Sequence, residues 1–174
     1  TSGCAVGRNP FLDIVLSRYS VPAFTDLDRD NDLDLVVGKE DGTLKAFRYN
    51  SDGSYTLMDG VDGRPAYPFF GLDVGENISP FFVNLVGDDA LDLVAGTGDG
   101  TIRVWERGAI GYSEVIGGAN PFNGIDVGSS AAPVLANVVG DEALDLVVGA
   151  EDGSVRVWQS ALVGFTEVIG GSNP

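Results

Sequence analysis

Asp26, Asp28, Asp30, Asp32 and Asp34 stand at alternate positions in the stretch D-L-D-R-D-N-D-L-D, directly before the apolar run Leu35-Val36-Val37-Gly38. Five carboxylates within nine residues repel one another unless a cation neutralises them. A hard divalent cation meets that need, since Ca²⁺ takes about 6–8 oxygen ligands at about 2.3–2.6 Å. The chemistry these residues point to is ion binding.

The first half of the spacing, D-x-D-x-D, is that of an EF-hand loop, but the second half is not. An EF-hand has helices on both sides, a glycine at about position 6 and a bidentate Glu at about position 12. Here position 6 is Asn31, the last acid falls at position 9, and the flanks are Val21-Pro22-Ala23-Phe24 and Leu35-Val36-Val37. Short apolar runs bounded by Pro or Gly read as strands. The spacing therefore predicts a cation loop between two strands.

Other chemistries find little support. The 174 residues contain no histidine, which removes the commonest general base and zinc ligand, and no residue is placed to activate a serine or cysteine nucleophile. Gly117-Gly118 and Gly170-Gly171 precede no helix that could cradle phosphate, so they read as turns. The acids recur in turns with no second constellation facing them, and the chain reads as a non-enzyme. A net charge of −16 and a pI near 4.1 oppose nucleic-acid binding and favour cations. Cys4 is the sole cysteine, so no internal disulfide forms; it reads as a free terminal thiol or a link to another chain. No apolar stretch approaches the ~20 residues of a membrane span. The opening Thr1-Ser2-Gly3 fits a processed protein or a piece of a longer one.

The elements that must position the aspartates belong to an internal repeat. Pro22-Ala-Phe-Thr-Asp-Leu, Pro80-Phe-Phe-Val-Asn-Leu and Pro133-Val-Leu-Ala-Asn-Val open three similar stretches. They continue as Leu33-Asp-Leu-Val-Val-Gly38, Leu91-Asp-Leu-Val-Ala-Gly96 and Leu144-Asp-Leu-Val-Val-Gly149. Tight turns come next at Glu40-Asp41-Gly42, Gly98-Asp99-Gly100 and Glu151-Asp152-Gly153, then strands ending in Phe47, Trp105 and Trp158. The units span 11–68, 69–121 and 122–174 of a single domain.

Every apolar run is too short for a helix, and Asp-Gly between alternating runs is a strong hairpin signal. The second unit illustrates the four strands expected in each: 79–85, 91–96, 101–106 and 112–116. Four antiparallel strands per ~50-residue repeat predict an all-β, propeller-type array of three blades. The central runs would lie inside each sheet, with Phe47, Trp105 and Trp158 packed between neighbouring sheets.

Asn9-Pro10-Phe11 precedes Pro22 by the interval at which Asn120-Pro121-Phe122 precedes Pro133, which marks both triplets as places where a strand begins. The sequence ends at Ser172-Asn173-Pro174, so segment 11–21 is the piece that the last repeat lacks. It is expected to complete a blade as a strand, either in cis or on another copy. Three blades make a small ring, because propellers typically have about 4–8. Completion between copies, head to tail, or a continuous longer chain is therefore favoured, giving a larger assembly or filament.

Asp26-Leu-Asp28-Arg-Asp30-Asn-Asp32-Leu-Asp34-Leu-Val-Val-Gly38 resembles the signature of the FG-GAP/VCBS repeat, roughly D-x-N-x-D-G-x-x-D followed by apolar residues and Gly. The resemblance extends over all three units. It implies a β-propeller with calcium-binding loops, as in integrin α-subunits and many secreted adhesion proteins. By position, Asp26, Asp28, Asp30 and Asp34 would supply side-chain oxygens and Asp32 its backbone carbonyl. Asn31 replaces the usual Gly, which is tolerable because Asn accepts left-handed backbone angles. The loops 84–92 and 137–145 depart from the pattern, with Val86 and Val139 at the second ligand position. They are expected to be metal-free turns held by Asn and Asp hydrogen bonds.

Asn77-Ile78-Ser79 is a glycosylation sequon, with Asn77 as the acceptor. The longer loop of the first unit, around 50–53 and 59–63, is the best candidate for a specific partner surface. The resemblance thus implies a secreted or cell-surface, calcium-binding structural or adhesion protein whose partners are other copies of the chain, glycans or cell-surface proteins. A carbohydrate-binding propeller is the alternative, since similar repeats occur in some fungal lectins.

Overall fold

The computed structural model describes residues 9–16, 18–58, 68–69, 71–109 and 111–169. Within them the chain is all-β: three antiparallel four-stranded sheets and a single 3-10 turn at Gly117–Ala119. The first sheet contains β1 (Val21–Thr25), β2 (Asp34–Gly38), β3 (Leu44–Tyr49) and β4 (Tyr55–Leu57) in that order. β5 (Ser79–Val83), β6 (Asp92–Gly96), β7 (Ile102–Arg107) and β8 (Tyr112–Val115) form the second. The third holds β9 (Ala132–Ala136), β10 (Asp145–Gly149), β11 (Val155–Ser160) and β12 (Phe165–Glu167). The four strands expected of the second repeat are thus present, with ends shifted by one or two residues.

Local chemistry explains the hairpins. Asp41, Asp99 and Asp152 each accept the backbone N–H two residues on, from Thr43, Thr101 and Ser154, at 3.1, 3.0 and 2.8 Å. The intervening Gly42, Gly100 and Gly153 hold φ of 82°, 86° and 84°, which a Cβ would disfavour. Identical turns produce identical registers: Leu35 faces Phe47, Leu93 faces Trp105 and Leu146 faces Trp158. β2 and β6 are buried along their whole length, which is why their sequences are apolar on both faces.

The sheets succeed one another face to face. One core joins Val36, Leu44 and Ala46 of the first sheet to Leu93, Ala95 and Trp105 of the second. Another joins Val94, Ile102 and Val104 to Leu146, Val148 and Trp158 of the third. β1 packs against β5, and β5 against β9, so the opening strands are neighbours. Trp105 and Trp158 lie between sheets as expected, each with an arginine, Arg103 or Arg156, 4.9 Å from its ring centre. Phe47 differs: with Leu35 and Val37 it packs under Phe11, Ile14 and Leu16, so a loop rather than a sheet covers it.

That loop corrects the expectation of a strand at 11–21. The Asn9 side-chain oxygen accepts the Phe11 N–H at 3.0 Å, and Ile14 N–H donates to Phe11 O at 3.0 Å, closing a turn where a strand was expected. Asn120 does the same for Phe122 at 2.9 Å, so Asn-Pro-Phe opens a turn and not a strand. Each sheet already has four strands without this segment. Phe11, Phe69 and Phe122 instead lie at 5.1, 5.1 and 5.0 Å from Tyr55, Tyr112 and Phe165, each on the sheet that comes after it in the chain. These linkers share a further device, a left-handed residue three before the repeat proline: Tyr19, Asn77 and Ser130 with φ of 53°, 54° and 51°. Cys4, 59–63 and Ser172-Asn173-Pro174 lie outside the described residues.

Candidate metal site in the first loop

The aspartate ladder forms the connection between β1 and β2. Left-handed angles at Arg29 (φ 65°) and Asn31 (φ 70°) coil it on itself. The Asp26 carboxylate accepts the N–H groups of Asp30 and Asn31 at 3.1 and 3.0 Å, and Asp30 accepts that of Asp32 at 3.0 Å. The coil brings carboxylate oxygens of Asp26, Asp28 and Asp34 within 4.8 Å of one another. Asp30 and Asp32 stand outside that trio; both are exposed.

Asp34 is buried in the sheet and works as a staple. Its Oδ2 accepts the Leu27 N–H and its Oδ1 the Tyr49 N–H, both at 2.9 Å, tying the loop to the end of β3. Asp92 and Asp145 occupy the same place in the other units and are fully buried. There Oδ2 accepts two loop N–H groups, from Leu85 and Val86 at 3.0 and 2.9 Å, and from Val138 and Val139 at 2.9 and 2.9 Å. In the first loop the Leu27 N–H is the loop donor to Asp34 Oδ2, and Asp28 stands where the other loops have Val86 and Val139. Asp88 and Asp141 accept the N–H groups of Ala90 and Ala143 at 2.7 and 2.8 Å, the Asp-to-backbone bonds expected of these two turns.

Burial pushes Asp28 and Asp34 above the ordinary carboxylate value of 3.8. For Asp28 the Arg48 charge opposes that push; for Asp34 the Tyr49 and Leu27 N–H groups do. Asp30 is shifted downward, first by the Asp32 N–H and then by Arg48. Asp28 Oδ1 is buried and makes no well-aligned hydrogen bond among the described residues, although the Asp30 backbone N–H acts on the carboxyl and partly offsets the upward push. An acceptor of that kind, beside two more carboxylates, fits a hard cation better than it fits a closed polar network.

Two arginines that the ladder did not announce complete the site. Arg48 Nε lies 2.6 Å from Asp28 Oδ2, an ionic contact without hydrogen-bond alignment, and another of its nitrogens is 3.4 Å from Asp30 Oδ2. Arg107, from the second sheet, donates to the backbone oxygen of Asp26 at 3.3 Å and to that of Leu27. A signal for Arg48 did exist. The residue after each repeat aromatic is Arg48, Glu106 and Gln159, and Gln159 likewise faces its own loop, bonding Asp141 at 2.9 Å.

Asn77, the sequon residue, sits half-buried at the boundary of the first two sheets, donating its backbone N–H to Glu40 O at 3.0 Å. Its left-handed angle supplies a conformational reason for Asn at that position. Where Leu85, Leu135, Ser160 and Phe165 meet, the boundary of the second and third sheets holds a solvent-open cleft of about 380 Å³. A comparison with protein-family models finds none that matches the chain, and a comparison with curated proteins finds no match.

Proposed function

We infer that the chain is a calcium-binding structural module of the FG-GAP/VCBS type, a propeller-like segment that works outside the cell within a larger assembly or adhesive surface. The observation that carries the reading is Asp28, whose Oδ1 is buried without a well-aligned donor among the described residues, beside Asp26 and Asp34. Those three side chains would hold the ion. When bound, calcium supplies the positive charge that lets buried carboxylates remain ionised. The chain's own part is to converge the acids: the left-handed Arg29 and Asn31 coil the loop, and Asp34 anchors it to the sheet.

The remaining support is the economy of the repeat. The other two loops carry Val86 and Val139 where the first has Asp28, so among the described residues three carboxylates converge in the first loop alone, and folding rests on packing between sheets. The acid surplus suits a medium rich in calcium, where mass action stabilises the loop. Calorimetric titration tests the reading: the chain should take up one equivalent of Ca²⁺, and Asp28→Ala should abolish it. Unchanged melting temperature with calcium and with chelator would remove the ion from the account.

A further inference from the structure

Resting on the assembly reading above, we propose that the outward face of the third sheet is a socket for a second copy of the chain, filled by that copy's segment 9–24. The occupant is named by the two boundaries inside the chain, which the third sheet prepares to repeat.

At both internal boundaries a linker crosses the hairpin of the preceding sheet. Asn77 and Val74 donate N–H to Glu40 O and Gly42 O at 3.0 and 3.5 Å; Ser130 and Val127 donate to Gly98 O and Gly100 O, both at 3.0 Å. The linker backbone comes so close that a Cβ on Gly38 would meet Ile78 O at 2.5 Å, and one on Gly96 would overlap Ala131 O. Glycine is required there by the approach of the next unit.

The third sheet carries every part of this socket. Gly149 and Gly153 stand at the equivalent positions, yet a Cβ on Gly149 would meet nothing nearer than Ala132 at 3.9 Å, and one on Gly153 nothing within 4 Å. Val155 is 64% exposed, whereas its counterparts Leu44 and Ile102 are 4% and 3% exposed inside their cores. Glu151 O and Gly153 O receive no linker N–H among the described residues.

Segment 9–24 carries the complementary part. It already has the linker's shape, with Phe11 against Tyr55 and the left-handed Tyr19 matching Asn77 and Ser130. Its outward side is apolar and uncovered: Val15 is 86% and Phe24 45% exposed. Phe24 is the counterpart of Phe82 and Leu135, both packed into the internal cores. Arg18, next to Tyr19, brings positive charge to the acidic turn Glu151-Asp152. The contact is heterologous, joining unlike faces of the two copies.

The bridge between Thr101 and Asp126 supplies the test, because Ser154 and Val15 are their counterparts. Mixing Ser154→Cys and Val15→Cys proteins, each also Cys4→Ser, should give an intermolecular disulfide under mild oxidation. A Ser113→Cys partner serves as the control. In sedimentation, Val155→Asp should weaken self-association more than about tenfold while leaving the melting temperature and calcium uptake unchanged. Association that survives Val155→Asp, with no cross-link beyond the control, overturns the socket and leaves the assembly reading standing. A chain that stays monomeric at millimolar concentration overturns both.

Discussion

Tyr49 donates its backbone N–H to Asp34 Oδ1 at 2.9 Å, fastening the end of β3 to the start of β2 from inside the sheet. Arg107 makes the same bond to Asp92 at 3.0 Å. Asp145 Oδ1, by contrast, is buried with no donor among the described residues. The buried Asp is therefore a structural staple in every unit, and it is complete in two of them. Asp92→Asn should destabilise by about 2 kcal/mol in urea unfolding, since it weakens the three backbone hydrogen bonds that the buried carboxyl accepts. Asp145→Asn should cost less.

The first loop should respond to calcium with a definite sign. Burial raises the Asp28 and Asp34 pKa values in the folded state, so these groups contribute stability below 3.8 that is lost as pH rises through their folded values. At neutral pH in chelator their charges oppose folding. Asp28→Asn should therefore raise the melting temperature in chelator and lower it in calcium, relative to the parent. Scanning calorimetry in the two buffers decides this.

Arg48 provides a built-in counter-charge for the same acids. Arg48→Gln should destabilise the chelated protein by about 1 kcal/mol, the scale of a half-exposed ion pair, with most of the loss recovered in calcium. A loss of equal size in both buffers would mean that Arg48 acts through packing alone.

Gly96 and Gly149 have similar neighbours in sequence and opposite surroundings in space. Gly96→Ala should cost about 2 kcal/mol or more, because its methyl overlaps the Ala131 carbonyl. Gly149→Ala should change the stability of the isolated chain by less than about 0.5 kcal/mol. Equal effects would show that strand propensity, and not the approach of the next linker, governs both sites.

The open cleft at the second boundary coincides with three exchanges. Phe82, Arg107 and Tyr112 occupy the second unit where the third has Leu135, Ser160 and Phe165. Leu135→Phe should cover part of this open cleft and raise stability by no more than about 0.5 kcal/mol, measured by denaturant midpoint.

Much of this architecture was legible along the chain because its signals are local. Asp-Gly turns demand positive φ, two-sided apolar runs demand a covered strand, and the repeat of both located the strands of the second unit within one or two residues. The five aspartates likewise announced a charged loop. What misled was Asn-Pro-Phe: an Asn that accepts the N–H two residues on makes a turn as readily as it precedes a strand, and only the packing of Phe11, Phe69 and Phe122 against their sheets distinguishes the two.

Strands, turns, the threefold repeat and the place of the acids are properties of the amino-acid order alone, since periodicity and backbone preference act within a few residues. Which acids meet depends on the folded chain. Coiling through Arg29 and Asn31 selects Asp26, Asp28 and Asp34, while Arg48 and Arg107 arrive from strands 14 and 73 residues beyond Asp34; the repeat register points to Arg48, but nothing along the chain places Arg107 of another unit at this loop. The same holds for the faces of the three sheets: their residues are alike in sequence, and only their neighbours in space separate two buried boundaries from an open one.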